Sequence, residues 1–235
     1  MKDEAVDAIL SKIQDGRTDL VFDFLEEGNS PSSVDEDGVS LMQWCAYYGD
    51  VSAIKFLLSR GANLSSLGHN IDLNAAVYHG HWPLTQFLLE SGADPNDEDA
   101  ETGETPLHSA IVKPNLLSTH RVVALLLAHG ADPNSRTKNG VITGAFMRDC
   151  RTKGETPLHR AAAFGNAETI QLLLDAGAVI DAKDANGDSP LGWASWYGRP
   201  NAILRLLLYG NHSIRSDNMP MDSNLLGKPH LSSNS

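Results

Sequence analysis

Thr156-Pro157-Leu158-His159 is followed by Ala161-Ala162-Ala163, by Gly165, by Leu173-Leu174 and by Gly177-Ala178. The same order, without the middle glycine, starts at Thr105-Pro106-Leu107-His108, runs through Leu126-Leu127 and closes at Gly130-Ala131. Three degenerate copies stay in phase with these two. A unit repeated in this way stacks on its neighbours, so function lies on the surface of the stack and not in a closed pocket.

Counting fixes the register. The proline position falls at Leu41, Asp72, Pro106, Pro157 and Pro190, with gaps of 31, 34, 51 and 33 residues. From there to the closing glycine (Gly61, Gly92, Gly130, Gly177, Gly210) is 20 residues in four copies and 24 in the third. The irregular gaps have two sources. The third copy has four extra residues around Pro114 to Thr119, and the fourth follows a 14-residue insertion from Val141 to Gly154.

Each unit predicts two short helices. Ser40, Thr105, Thr156 and Ser189 suit helix N-caps, where a hydroxyl satisfies a free backbone N–H. Proline fits the first turn that follows, where no N–H is needed. Gly49, Gly80, Gly165 and Gly198 are expected to end the first helix in a left-handed residue. The second helix carries one apolar face (Ile54, Leu57, Leu58; Val123, Leu126, Leu127; Ile170, Leu173, Leu174; Ile203, Leu206, Leu207) that no single unit can bury. Thr85 stands in that face in the second copy, where a weaker core is expected.

The pattern of Thr-Pro-Leu-His, small residues, a glycine nine residues after the threonine, Leu-Leu and Gly-Ala resembles the ankyrin repeat over residues 35–210. The resemblance implies an all-α solenoid with β-hairpin-like connecting loops. It also implies that His108 and His159 bond neighbouring backbone, and that a concave groove touches a protein partner.

Val21, Phe24 and Leu25 precede Gly28 at the offsets of the other second helices, and Ala5 to Gln14 reads as their first helix. Residues 1–34 are thus expected to form a capping repeat, giving about six helix pairs. Residues 211–235, rich in Ser, Asn and Pro, are expected to be a flexible tail.

The 235 residues are 41% hydrophobic, enough for one continuous core. A net charge of −12 argues against nucleic acid, whose backbone needs Lys/Arg patches. No stretch approaches the roughly 20 apolar residues of a membrane span. Two cysteines make no disulfide framework, and Cys45 in an alanine position reads as a buried thiol. These features lead to an expectation of a cytoplasmic protein, monomeric or weakly dimeric.

In the ankyrin family the two residues before the first-helix glycine face the groove. Here they are Tyr47-Tyr48, Tyr78-His79, Val112-Lys113, Ala163-Phe164 and Trp196-Tyr197, with Trp44 and Trp193 one turn earlier. Tyr and Trp anchor interfaces more often than other residues. Acidic side chains crowd the connections, among them Glu36, Asp37, Glu101 and Glu104, and would steer a basic partner. The insertion adds Phe146, Met147 and Arg148, read as an extended hairpin overhanging the groove.

Catalytic signals are lacking. His79-Gly80-His81 has no third metal ligand at useful spacing. No glycine-rich phosphate loop follows a strand. Neither catalytic residues nor a cofactor are therefore expected. The sequence points to a non-enzymatic module that binds a basic and apolar protein segment. Two alternatives stay open: an accessory regulator, inhibitor or immunity-type protein of one enzyme, and an enzyme with its chemistry in the insertion around Arg148 to Arg151.

Overall fold

The computed structural model describes residues 2–112, 118–143 and 150–210. The tail, Lys113, and Phe146, Met147 and Arg148 of the insertion lie outside them. Six helix pairs follow one another: α1 Lys2–Gln14 with α2 Leu20–Glu26, α3 Leu41–Tyr47 with α4 Val51–Ser59, and α5 Leu73–His79 with α6 Trp82–Glu90. Then come α7 Pro106–Ala110 with α8 Thr119–Ala128, α9 Pro157–Phe164 with α10 Ala167–Asp175, and α11 Pro190–Trp196 with α12 Asn201–Leu206. First helices touch first helices along the chain, and second helices touch second helices. One hydrophobic core runs unbroken from Leu10 to Leu207, the continuous core that a repeat stack requires.

Local chemistry starts each unit. The hydroxyl of Ser40 accepts from the Gln43 N–H, and the Gln43 side chain accepts from the Ser40 N–H in return. This reciprocal box satisfies two donors that the first turn leaves free. In the third and fourth units a histidine replaces that glutamine. His108 Nδ1 accepts from the Thr105 N–H at 3.1 Å, and His159 Nδ1 from the Thr156 N–H at 3.2 Å. The opposite nitrogens reach the next unit: His108 Nε2 donates to the Glu155 carbonyl at 3.3 Å and His159 Nε2 to the Asp188 carbonyl at 3.1 Å. The histidine therefore caps its own helix and links two repeats.

Residues that open second helices also cap the helices of the unit before. His81 Nε2 donates to the Tyr47 carbonyl at the end of α3, and its ring lies where a Cβ on Gly49 would stand. Arg199 does the same for α9, donating to the carbonyls of Ala163 and Gly165. Asn96 and Asn134 are latches between closing loops. Each accepts a backbone N–H of the following loop (Asp132, Val179) and donates to a carbonyl there (Gly130, Gly177). Asn70 holds the backbone of Asp94 in the same two-way manner.

The connections are hairpin-like. Asp35, Asp99 and Asp184 each donate a backbone N–H to the carbonyl of Val39, Glu104 or Asp188. The insertion adds an antiparallel pair, β1 Asn139–Ile142 and β2 Arg151–Lys153, so its described ends form the expected hairpin.

One expectation changes. Gly49, Gly80 and Gly198 are left-handed, but Gly165 is extended at φ −75°. Asn166 caps α10 immediately afterwards, so the chain must straighten there. Glycine is needed at 165 for proximity instead: a Cβ would stand 2.8 Å from the Ala161 carbonyl oxygen. Thr85 is fully buried, and its hydroxyl donates to the His81 carbonyl, so its polar group is satisfied within the helix.

The start of the third pair is irregular. Asn70, Ile71 and Asp72 lie consecutively at φ 45°, 55° and 58°. Left-handed backbone is costly for a β-branched residue such as isoleucine.

Candidate functional site

The first helices α1, α3 and α5 build one aromatic surface. Trp44 sits 6.0 Å from Tyr47 edge-on and 6.4 Å from Tyr48 in a near-parallel stack. Tyr47 and Tyr48 meet edge-to-face at 5.1 Å, and Tyr47 meets His79 at 5.5 Å. Tyr78 adds an edge contact to His79. Such offset and T-shaped pairs hold the rings in a fixed arrangement. Tyr48 is tethered further, because its hydroxyl donates to the Gln14 carbonyl at 2.7 Å. Tyr47 is 54% exposed and Tyr48 38%. Between them and Asp15, Asp72 and His79 lies a depression of 640 Å³.

A second aromatic surface forms at the other end. Trp196 is 79% exposed and Tyr197 52%. Tyr197 meets Phe164 of α9 at 4.9 Å. A depression of 360 Å³ is lined by Lys153, Asp188, Trp193, Trp196 and Tyr197, with the Lys153 ammonium 5.5 Å from the Trp193 ring centre. The hairpin of the insertion therefore contributes to this surface through Lys153.

Trp193 and Trp44 have a different role from Trp196. Trp193 is buried, meets His159 edge-on at 5.4 Å, and donates its indole N–H to Asp184 at 3.0 Å. Trp44, half-buried, donates to Asp35 at 2.7 Å. Both carboxylates also accept backbone N–H groups of their own turns. The two tryptophans thus buttress the connecting hairpins, and their remaining faces line the depressions.

The acidic positions divide. Glu36, Asp37 and Glu101 are exposed. Glu104 is a correction to the sequence reading: it faces inward, its side chain 13% exposed, and pairs with the buried Arg160. Arg160 is 0% exposed and also binds Glu155 through two nitrogens at 3.0 and 2.7 Å, and the His108 carbonyl at 3.2 Å. Thr137 and the Lys153 N–H complete Glu155, and Thr143 donates to Glu104. Third unit, fourth unit and hairpin are joined by this network. Sequence reasoning passes over Arg160, although a signal is there: it occupies the position that Trp44 and Trp193 hold in their units, and a glutamate precedes the capping threonine in both copies.

The titratable groups of the interior are tuned for structure. Burial drives the His108 imidazole down to about 3, and the Arg160 charge adds to this. Burial also lowers His159. For Glu155 burial acts upward, but Arg160 and the donated hydrogen bonds outweigh it and hold the carboxyl down to about 2. Burial, then the nearby Asp50 charge, pushes the Cys45 thiol up to about 12. Among the described residues no group of three His, Cys, Asp or Glu side chains is placed to hold a metal. None of their helices is long and apolar enough to cross a membrane.

The repeated caps, helix pairs and hairpins define an ankyrin-repeat architecture, and the family model for ankyrin repeats matches residues 9–99, 73–137 and 139–218. The chain belongs to the ankyrin repeat family. It is 26% identical over 233 residues to a putative palmitoyltransferase ZDHHC13 of Danio rerio, covering 89% of this chain and 35% of that protein. To the mouse palmitoyltransferase ZDHHC13 it is 29% identical over 221 residues, covering 79% and 33%. An ankyrin repeat domain-containing protein SAT10 of Stachybotrys chartarum is 31% identical over 148 residues, 63% of this chain and 6% of that protein. The chain spans about a third of the length of the ZDHHC13 relatives. Ankyrin repeats imply a protein-binding role.

Proposed function

We propose that this chain is a non-enzymatic recognition module that binds a protein segment along the face of its first helices. One observation carries the reading. Of eight large exposed hydrophobic side chains among the described residues, four (Tyr47, Tyr48, Trp196, Tyr197) stand at or just past the C-terminal ends of α3 and α11. Large rings left open to water at matching positions of a repeat stack are the usual anchors of an interface. Glu36, Asp37 and Glu101 on the hairpins favour a partner segment with Lys or Arg among its apolar residues, and act on its rate of approach. Tyr47, Tyr48, Tyr78, Trp196 and Tyr197 are the contact residues. Trp44 and Trp193 support them from behind.

The test is capture from lysate with the intact chain and a Tyr47→Ala/Trp196→Ala variant, read by mass spectrometry. A partner held by the first and lost by the folded second supports the face. A partner held equally by both overturns it.

A second reading follows from the ZDHHC13 relatives. In a longer protein of that kind these repeats would recruit the partner or substrate, and acyl transfer would belong to another part. Incubating the purified chain with palmitoyl-CoA and captured partner separates the two roles. Turnover by this chain alone would overturn the non-enzymatic reading.

A further inference from the structure

We infer that the depression beside Trp44, Tyr47 and Tyr48 is a subsite for one cationic side chain of the bound segment, a lysine or arginine, with Asp72 as its counter-charge. This rests on the reading of the first-helix face as the binding face and adds the chemistry of one contact.

The lining is the argument. The 640 Å³ depression presents the rings of Trp44, Tyr47, Tyr48 and His79 together with the carboxylates of Asp15 and Asp72, and among the described residues no Lys or Arg lines it. Aromatic faces attract cations through their quadrupole, more strongly where water is partly excluded. The rings are already fixed by their mutual contacts and by the Tyr48 tether to Gln14, so little ordering is needed on binding.

Asp72 supplies the second half. Among the described residues no hydrogen bond or ion pair reaches its carboxylate. Burial raises its proton affinity, which marks a negative charge without compensation. An apolar side chain seated over it would remove its remaining water and leave it unpaired, which is costly. An acidic one would be repelled. A cation satisfies it. The left-handed run from Asn70 to Asp72 brings this carboxylate to the depression at the expense of backbone strain.

The surroundings agree in sign. A smaller cavity of 140 Å³ shares Gln14 with the depression and is lined by Asp7, Asp35, Glu36 and Asp37, with no cation among its described lining residues. α1, a 13-residue helix with Lys12 in its last turn, ends at Gln14, which lines both, so its last carbonyls lie beside them.

The experiment is a two-dimensional NMR titration of the chain with three capped amino-acid amides: acetyl-arginine amide, acetyl-lysine amide and acetyl-citrulline amide, the last a neutral copy of arginine. Arginine and lysine are expected to shift backbone signals of residues 44–48 and 72. Citrulline is expected to bind about fivefold more weakly, as is arginine to the Asp72→Asn chain. Asparagine tolerates the left-handed backbone, so this variant keeps the fold, and its thermal midpoint checks that. Equal shifts from citrulline, or unchanged binding to Asp72→Asn, overturn the subsite. If the amides leave α3 unmoved while a captured partner still depends on Tyr47, the subsite falls and the binding face stands.

Discussion

The indole N–H of Trp193 donates to the carboxylate of Asp184 at 3.0 Å, nine residues back along the chain. That bond separates two tryptophans that look alike in sequence. Trp193 is 8% exposed and Trp196 is 79% exposed. Trp193→Ala is expected to cost about 3–5 kcal/mol of stability, the usual range for emptying a buried aromatic site. Trp196→Ala is expected to stay within about 0.5 kcal/mol, as surface substitutions do. Urea unfolding of both variants checks the pair. A large loss for Trp196→Ala would mean that its ring is part of the packing.

Arg160 is surrounded by two glutamates in the interior. Arg160→Met leaves both without a counter-charge and is expected to destabilise by about 3–5 kcal/mol. The triple change Glu104→Gln/Glu155→Gln/Arg160→Met removes every charge of the cluster. It is expected to recover most of that loss. Thermal melts of the two variants beside the parent decide it, and a triple variant as weak as the single one would contradict the account.

Acid should weaken the stack. His108 is held neutral in the folded chain down to about 3, whereas the unfolded chain takes up its proton near 6.5. Between these values the unfolded state binds more protons, so stability falls as pH falls. By pH 5 this one histidine costs about 2 kcal/mol. His159 is lowered too and acts in the same direction. Glu155, held to about 2 against an ordinary 4.5, adds its loss only below pH 4.5. Unfolding midpoints at pH 7.5 and pH 5 measure the slope. His159→Gln, which copies the working Ser40–Gln43 cap, is expected to fold and to reduce the slope by the share of His159, leaving that of His108.

The two cysteines should differ in their access to reagents. Cys45 is buried with its thiol pushed up to about 12, while Cys150 is half-buried and free. A thiol reagent is expected to modify Cys150 in the native chain and Cys45 only after unfolding. Rapid modification in a Cys150→Ser variant would show that the core around α3 opens.

What is legible in the sequence is local chemistry at fixed spacing. Ser40, Thr105, Thr156 and Ser189 cap helices because a hydroxyl and the N–H groups it serves are within one turn of chain. The second-helix faces follow from helical period alone. The Arg160–Glu104 pair spans 56 residues and the insertion, so spacing does not reveal it, and Glu104 reads as part of the acidic edge. Trp193 and Trp196 lie three residues apart, nearly one turn. Trp193 turns inward at the repeat position of Trp44 and Arg160, where His159 and Asp184 meet it. The repeat register puts Tyr47 and Tyr48 on the binding face, but the tether of Tyr48 to Gln14 needs the capping helix folded against α3.

The asparagine latches have a mechanical consequence. Asn70, Asn96 and Asn134 each grip the backbone of the loop that follows in space, from Asp94 through Asp132 to Val179. These clasps lie beside the helix contacts between the same neighbours, so a pull that parts two of the middle repeats has to break both together.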